Sequence, residues 1–91
     1  SVFISMEKST FIRTHNGRDY GIDFTLDQLE GLLDPKRFFR VNRKFIVDIK
    51  SIKDIISYSN SRLKLKLDVN TDEDVIVSRE RVGEFKEWLD K

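Results

Sequence analysis

The sequence of 91 residues predicts an α+β domain that is dominated by antiparallel strands and carries two short helices. Short segments of alternating apolar and polar residues recur along the chain, and turn-forming residues separate them. Only two segments space their apolar residues as a helix does. Strands and helices do not alternate as the βαβ units of a parallel sheet would, so an antiparallel arrangement follows.

The first elements are strands. Residues 2–6 and 11–15 are short and rich in β-branched and aromatic side chains, which predicts a strand for each. The dipeptide Asn16-Gly17 follows, and both residues tolerate the positive φ angles of a tight hairpin turn. The returning strand alternates strictly and places three apolar side chains on one face: Tyr20, Ile22 and Phe24.

The period changes to that of a helix at Thr25. Thr25 and Gln28 have the spacing of a capping box, in which each side chain bonds the backbone amide of the other residue. Leucines at helical spacing follow this box: Leu26, Leu29, Leu32 and Leu33. Asp34-Pro35 ends the helix after about eight residues, because the residue before a proline avoids the α region.

Residues 38–49 are ambiguous. A strand through Phe39 and Val41 is predicted, followed by a tight basic corner. Residues 45–47 are uniformly apolar, and periodicity does not distinguish a strand from a helical turn there.

The C-terminal half continues with strands. Residues 52–58 predict a strand, residues 59–61 a turn, and residues 62–67 a strand that points Leu63, Leu65 and Leu67 inward. The bases on the same strand, Arg62, Lys64 and Lys66, point outward.

An acidic loop at residues 70–74 leads to a strand at residues 75–77. Ser78 is predicted to cap a final helix, which we expect to close an open end or an edge of the sheets. One face of this helix is apolar: Val82, Phe85, Trp88 and Leu89.

Composition excludes several classes of protein. The absence of Cys and the single His exclude a disulfide scaffold, a thiolate zinc site and a multi-histidine metal site. No apolar run approaches the ~20 residues of a transmembrane helix. We therefore expect a cytoplasmic domain that has no cofactor, no metal and no membrane contact.

Enzymatic motifs are also missing. His15 precedes a hairpin turn, where a solvated side chain is the ordinary expectation. The four glycines are isolated, and no nucleophile elbow, phosphate-binding glycine loop or paired-histidine helix is present. The sequence predicts a protein that is not an enzyme.

Charge is distributed unevenly along the chain. Residues 36–66 carry ten bases and two acids, a net charge of +8, whereas residues 1–35 carry −3 and residues 67–91 carry −4. A basic middle third is typical of a surface that faces a polyanion, and it is also compatible with ordinary solvated charges.

Two basic clusters stand out. Residues 36–44 place five bases and Asn42 among the apolar Phe38, Phe39 and Val41, so the apolar side chains would anchor the segment. Guanidinium groups suit phosphates and the O6/N7 edge of guanine, and Asn suits adenine. Arg79 and Arg81 form the second cluster, in the predicted first turn of the last helix, where bases oppose the helix dipole. A bound phosphate would compensate for this opposition.

These segments together resemble a LytTR domain, the DNA-binding output domain of LytR/AlgR-type bacterial response regulators. The resemblance lies in residues 34–48 (DPKRFFRVNRKFIVD), residues 52–55, RLKLKL, residues 78–82 (SRERV) and the leading hairpin and helix. Asn42 stands where the family usually has His, Lys44 where Ser is common, and Asp48 where Asn is usual. These departures bear on base preference rather than on the fold.

The resemblance implies stacked antiparallel sheets and DNA contacts made by three loops rather than by a recognition helix. The loops would enter successive major grooves and face the minor groove between them. The matching positions fall in three groups: Lys8, Ser9 and Thr10; Arg40, Asn42, Arg43 and Lys44; and Ser78, Arg79, Glu80 and Arg81. Arg40, Arg43 and Lys44 are expected on the surface, with Arg40 paired to a nearby acid as the structural alternative.

The leading hypothesis is therefore sequence-specific binding of double-stranded DNA for transcription regulation. The resemblance also implies repeated DNA half-sites, a receiver domain that this chain lacks, and a homodimer as one arrangement of the full-length protein. One alternative is a β-rich protein-interaction module whose basic strip binds an acidic partner. Single-stranded DNA or RNA binding is the other; it needs exposed aromatics, and the aromatics here are predicted to face inward.

Overall fold

A computed structural model describes residues 1–90, and within them the chain forms eight strands and two α-helices. The strands are β1 (Val2–Met6), β2 (Ser9–Arg13), β3 (Asp19–Ile22), β4 (Phe38–Arg40), β5 (Phe45–Asp48), β6 (Ile52–Tyr58), β7 (Arg62–Leu67) and β8 (Val75–Val77). The helices are α1 (Leu26–Leu32) and α2 (Val82–Leu89), and short 3₁₀ turns cover Ile49–Ser51 and Arg79–Arg81.

The strands form two antiparallel sheets. The larger sheet has the order β3-β2-β1-β5-β4, and the smaller sheet has the order β6-β7-β8. The predicted class, a strand-dominated α+β fold with stacked antiparallel sheets and two short helices, is confirmed.

The main core lies between the two sheets and under α2. It is built from the inward-facing residues of both sheets and from two aromatics of α2: Val2, Ile4, Val41, Phe45, Val47, Leu65, Val69, Val75, Val77, Phe85 and Trp88. The intervening residues of the central strands, Phe3 and Ile46, are also buried, on the outer face of the larger sheet. A strand buried on both faces is apolar throughout, which explains why residues 45–47 gave no periodic signal and yet form a strand.

Helix α1 covers the outer face of the larger sheet. Leu26 and Leu29 pack with Phe3 and Ile46 in a second cluster. The predicted capping box is present, since the amide of Gln28 donates to Thr25 Oγ1 and the amide of Thr25 donates to Gln28 Oε1. Leu32 was predicted on the apolar face and is 62% exposed at the last residue of α1.

Helix α2 covers β4, an edge strand of the larger sheet. The ring of Phe39 lies 5.6 Å from that of Phe85 and 5.3 Å from that of Trp88. Trp88 Nε1 also donates to the carbonyl of Pro35 at 2.9 Å, so its polar atom is satisfied. The prediction that Ser78 caps this helix is wrong, because a 3₁₀ turn intervenes and the Ser78 side chain accepts no capping hydrogen bond.

The hairpin turns differ from the predicted ones in detail. Glu7 and Lys8 both have positive φ, 48° and 70°, so β1 and β2 are joined by a two-residue turn of type I′ geometry. In the next hairpin only Gly17 has positive φ, at 84°, and the connection covers residues 14–18. A turn followed by one left-handed residue forms this loop. The hairpin turn therefore lies where it was predicted, but Gly17 adopts the expected positive φ and Asn16 does not.

Three aromatics that were predicted to be buried are exposed. Tyr20 is 49% exposed, Phe24 is 47% exposed and Tyr58 is 40% exposed. Tyr20 and Tyr58 lie on β3 and β6, which are edge strands, and Phe24 lies in the connection to α1. Edge positions have neighbours on one side only, so alternation alone overestimates their burial.

Candidate nucleic-acid interface

Strand pairing brings five connecting segments to the same end of the molecule, which we call the loop end. Ile4 pairs with Phe45, so β5 begins beside the end of β1, and Leu63 pairs with Val77, so β7 begins beside the end of β8. The five segments are residues 7–8, 23–25, 41–44, 59–61 and 78–81. All three predicted DNA-contact groups lie at or beside this end.

Hydrogen bonds join residues 41–44 to residues 78–81. The amide of Ser78 donates to the carbonyl of Val41 at 3.0 Å. Arg81 Nη1 donates to the carbonyl of Arg40 at 3.2 Å. Two groups that are 34 or more residues apart in sequence therefore form one continuous surface.

The side chain of Asn42 shapes this surface. Its Oδ1 accepts hydrogen bonds from the amides of Lys44, at 2.8 Å, and Phe45, at 3.1 Å. Its Nδ2 donates to the carbonyl of Ile76 at 2.7 Å. Only the second Nδ2 hydrogen remains for a ligand, so a base contact by Asn42 stays a prediction that depends on that one donor.

The side chain of Arg40 forms ion pairs and hydrogen bonds within the fold. Its guanidinium bonds the carboxylates of Asp27 and Glu30 on α1, with Nη1 at 2.7 Å from Glu30 Oε1, and the carbonyls of Asn42 and Arg43. Its side chain is 13% exposed, so the prediction of a surface position for Arg40 is wrong and the structural alternative is confirmed. The hydrogen bond from Arg40 lowers the pKa of the Asp27 carboxyl. This outcome follows from the position of α1, whose acids lie beside β4.

Two exposed arginines on the joined segments, Arg43 and Arg79, have no carboxylate partner among residues 1–90. Lys44 is also at the surface, but its Nζ lies 2.6 Å from Glu73 Oε1 of the acidic loop. Arg43 and Arg79 thus have the greatest freedom to meet an anion.

The first predicted group lies next to this surface. The amide of Ser5 donates to the carbonyl of Lys44 at 2.9 Å, which places the turn after β1 beside residues 41–44. Lys8 and Ser9 are exposed, whereas Thr10 is buried within β2. The group lines a shallow concavity together with Phe24 and Gln28.

Glu80 adds a negative charge among the bases. Its own backbone amide and the hydroxyl of Ser78 lower the pKa of its carboxyl, and the charges of Arg79 and Arg81 act in the same direction. The carboxylate therefore stays ionised at neutral pH. A carboxylate at a DNA surface repels phosphates and accepts hydrogen bonds from cytosine N4.

Sequence reasoning missed three residues of the loop end. Asn60 and Arg62 lie at the turn after β6, and Phe24 lies in the connection to α1. Arg62 belongs to the basic middle third of the chain, but its charge alone did not separate it from Lys64 and Lys66. Only the pairing of β7 with β8 shows that it lies beside Ser78.

Residues 1–90 contain no cluster of three or more His, Cys, Asp or Glu side chains placed to hold a metal ion. None of the helices in this range is long and apolar enough to cross a membrane.

The fold consists of two stacked antiparallel sheets, and its connecting loops carry basic side chains that have no ion-pair partner in the described part of the chain. These features define a β-rich domain that offers loops, rather than a helix, to a ligand. The model of the LytTr DNA-binding domain family matches residues 1–90. The chain belongs to this family.

Relatives agree with this assignment. The chain is 33% identical over 83 residues to the transcriptional regulatory protein YpdB of Escherichia coli K12 and of Shigella flexneri. The match covers 91% of this chain and 33% of each relative, so the chain spans about a third of their length. A solved LytTr DNA-binding domain of a response regulator from Bacillus cereus superimposes with a TM-score of 0.82 and 26% identity, over 97% of this chain and 78% of that one.

Proposed function

We propose that the chain binds double-stranded DNA in a sequence-specific manner and serves as the output part of a transcription-regulating response regulator. The observation that carries this proposal is the pair of exposed arginines, Arg43 and Arg79, on two loops that are hydrogen-bonded to each other. Unpaired guanidinium groups on a fixed backbone suit both phosphates and guanine edges. Membership of the LytTr family supports the same ligand.

The loops, rather than a helix, contact the duplex in this proposal. Both helices pack on the sheets through their apolar faces. Their exposed faces are mainly acidic, with Asp27 and Glu30 on α1 and Glu84 and Glu87 on α2, so neither suits the negatively charged major groove. Arg43 is exposed in the short connection between β4 and β5 and is assigned to base edges. Lys8, Lys44 and Arg79 are assigned to the phosphates on either side.

The size of the molecule supports contacts in successive major grooves. Its longest dimension is 32 Å, close to the ~34 Å of one helical turn of DNA. With that dimension lying along the duplex, one copy would cover about one turn, and the minor groove would face it between the outer loops. A site of two such half-sites would take two copies.

The wider context is also a proposal. In the full-length protein a receiver domain would precede this domain, and a homodimer would occupy repeated half-sites in the cytoplasm. Binding rather than catalysis is the activity proposed for the residues described.

Fluorescence anisotropy tests the proposal directly. The protein should bind a duplex selected from a random library more tightly than a scrambled duplex or a single strand, and should lose affinity as salt is raised. Absence of duplex binding even at low salt would contradict the proposal and favour an acidic protein partner. Tighter binding of the single strand would assign the exposed Tyr20, Phe24 and Tyr58 to base stacking instead.

A further inference from the structure

The hairpin formed by β6 and β7 reaches the loop end beside residues 78–81. Between them lies an open concavity of about 430 Å³. It is lined mainly by polar and charged residues from three segments: Asn42, Asn60, Arg62, Ile76, Ser78, Arg79 and Glu80. Asn60 and Arg62 belong to none of the three loops assigned above.

Arg62 is held in place without being neutralised. Its Nε donates to the carbonyl of Ser59 at 3.0 Å and its Nη2 donates to Ser59 Oγ at 3.1 Å. The guanidinium carbon lies 5.0 Å from the ring centroid of Tyr58. Across residues 1–90 no carboxylate lies within ion-pair distance of Arg62. Its positive charge is therefore fixed in position and free to attract an anion.

The surroundings of Arg62 complete a set of donors. Leu63 pairs with Val77, so Arg62 begins its strand opposite Ser78 and next to Arg79. Asn60 lies at the tip of the turn with φ of 60°, a left-handed conformation that asparagine tolerates better than most residues. The lining thus contains two guanidinium groups and one free amide against the single carboxylate of Glu80.

We propose that Arg62, Asn60 and Arg79 bind a phosphate of the DNA backbone, so that the β6–β7 hairpin makes a fourth contact with the duplex. This inference rests on the proposed DNA-binding function. The contact is assigned to a phosphate because Arg62 has a fixed, unneutralised charge, and its Nε and Nη2 already donate to Ser59. A phosphate contact adds affinity without reading sequence.

Arg62→Gln tests the charge. One lost phosphate contact should lower the slope of log K against log salt by about 0.9. The variant should weaken binding to the selected and the scrambled duplex by the same factor. Lys66→Gln is the matched control, because it removes one exposed charge from the same strand at its other end and should leave the slope unchanged.

Asn60 provides a second test that leaves the Arg62 contacts intact. Both Gly and Asp accept the left-handed turn, so Asn60→Gly and Asn60→Asp should melt close to the wild type. Asn60→Asp should weaken duplex binding more than Asn60→Gly, because it places a negative charge against the phosphate. Asn16→Asp makes the same change in the loop between β2 and β3, at the opposite end, and should have no effect.

The outcomes separate the two proposals. If the wild type binds duplex DNA while Arg62→Gln matches Lys66→Gln and Asn60→Asp matches Asn60→Gly, the fourth contact is wrong and the DNA-binding function stands. If the wild type binds no duplex, both are wrong. Should Arg62→Gln lose its fold, the two Asn60 variants decide the question alone.

Discussion

The loop end and the opposite end of the sheets use their arginines differently. At the opposite end, Arg13 forms a two-pronged ion pair with Asp19, at 2.8 and 3.0 Å, and Arg37 does the same with the buried Asp48. Across residues 1–90, Arg18 is the one arginine at that end without a carboxylate partner. The reverse holds at the loop end, where Arg40 is the one arginine that forms an ion pair within residues 1–90.

This difference separates arginines that are paired within the fold from arginines that are left without a carboxylate partner at the surface. Arg43, Arg62 and Arg79 have no carboxylate partner within residues 1–90, so their charges are available to a phosphate. A guanidinium that is already paired would gain less from a phosphate. The number of bases in a segment therefore carries less information than the partners those bases have. Arg40 illustrates this within the loop end itself, because it lies in the most basic segment and yet serves α1.

The largest effect is expected from a substitution in the main core, which supports both ends of the sheets. Trp88→Ala should cost about 3–5 kcal/mol of unfolding free energy, because it leaves a cavity beside Phe39 and breaks the hydrogen bond to Pro35. Thermal or denaturant unfolding measures this loss. Phe24→Ala, at an exposed aromatic, is the control and should cost far less. Equal losses in the two variants would mean that α2 contributes little to the core.

A second change weakens only the opposite end. Burial alone would raise the pKa of Asp48, but hydrogen bonds from Arg37 and from the amide of Lys50 outweigh it and hold the pKa below the ordinary 3.8. Because the pKa of Asp48 is lower in the folded than in the unfolded chain, its carboxylate stabilises the fold at pH values above the unfolded pKa. This contribution is lost as the pH falls through the folded pKa.

Asp48→Asn should therefore cost about 1.5–3 kcal/mol at neutral pH, the range for hydrogen bonds to a charged group. It should also flatten the fall in stability below pH 4, while DNA affinity at neutral pH stays unchanged. Unfolding midpoints measured across pH 2 to 7 provide the comparison with the wild type. An unaltered acid limb would show that Asp48 is not the group responsible.

A third substitution removes hydrogen bonds that fix the backbone of the loop end. Asn42→Ala removes three hydrogen bonds that order residues 41–45 and connect them to β8, and should cost about 1–3 kcal/mol. Asn42→Asp keeps the acceptor but places a carboxylate oxygen against the carbonyl of Ile76, so it should cost no less than Asn42→Ala. If Asn42→Ala leaves stability intact and lowers only the discrimination between DNA sequences, Asn42 contacts a base rather than the loop.

The smallest effect is expected from a substitution that strengthens duplex binding by the loop end. Glu73→Gln releases Lys44 from its ion pair, which should tighten duplex binding by about 0.2–1 kcal/mol, the range for an exposed pair. Anisotropy at low salt would detect the change. Asp54→Asn removes an exposed acid near the other end of β6 and should not alter affinity. A Glu73→Gln variant that binds no more tightly would place Lys44 outside the interface.

The sequence was sufficient where the signal is local. The capping box of Thr25 and Gln28 and the buried face of Phe85 and Trp88 depend on residues three or four positions apart, and both were predicted. The partner of Arg40, the exposure of Tyr20 and the position of Arg62 depend on how distant strands pair. Side-chain type does not determine that register, so these features emerged only from the fold.

The most direct test of the account compares one unpaired arginine from each end. Arg43→Gln should reduce affinity for a selected duplex by about 1–3 kcal/mol, as expected for a lost base contact. Arg18→Gln removes the same charge from an exposed position at the opposite end and should bind like the wild type. A salt titration of both variants on the selected and scrambled duplexes is the measurement. Equal losses from Arg43→Gln and Arg18→Gln would contradict the claim that the loop end is the DNA-binding surface.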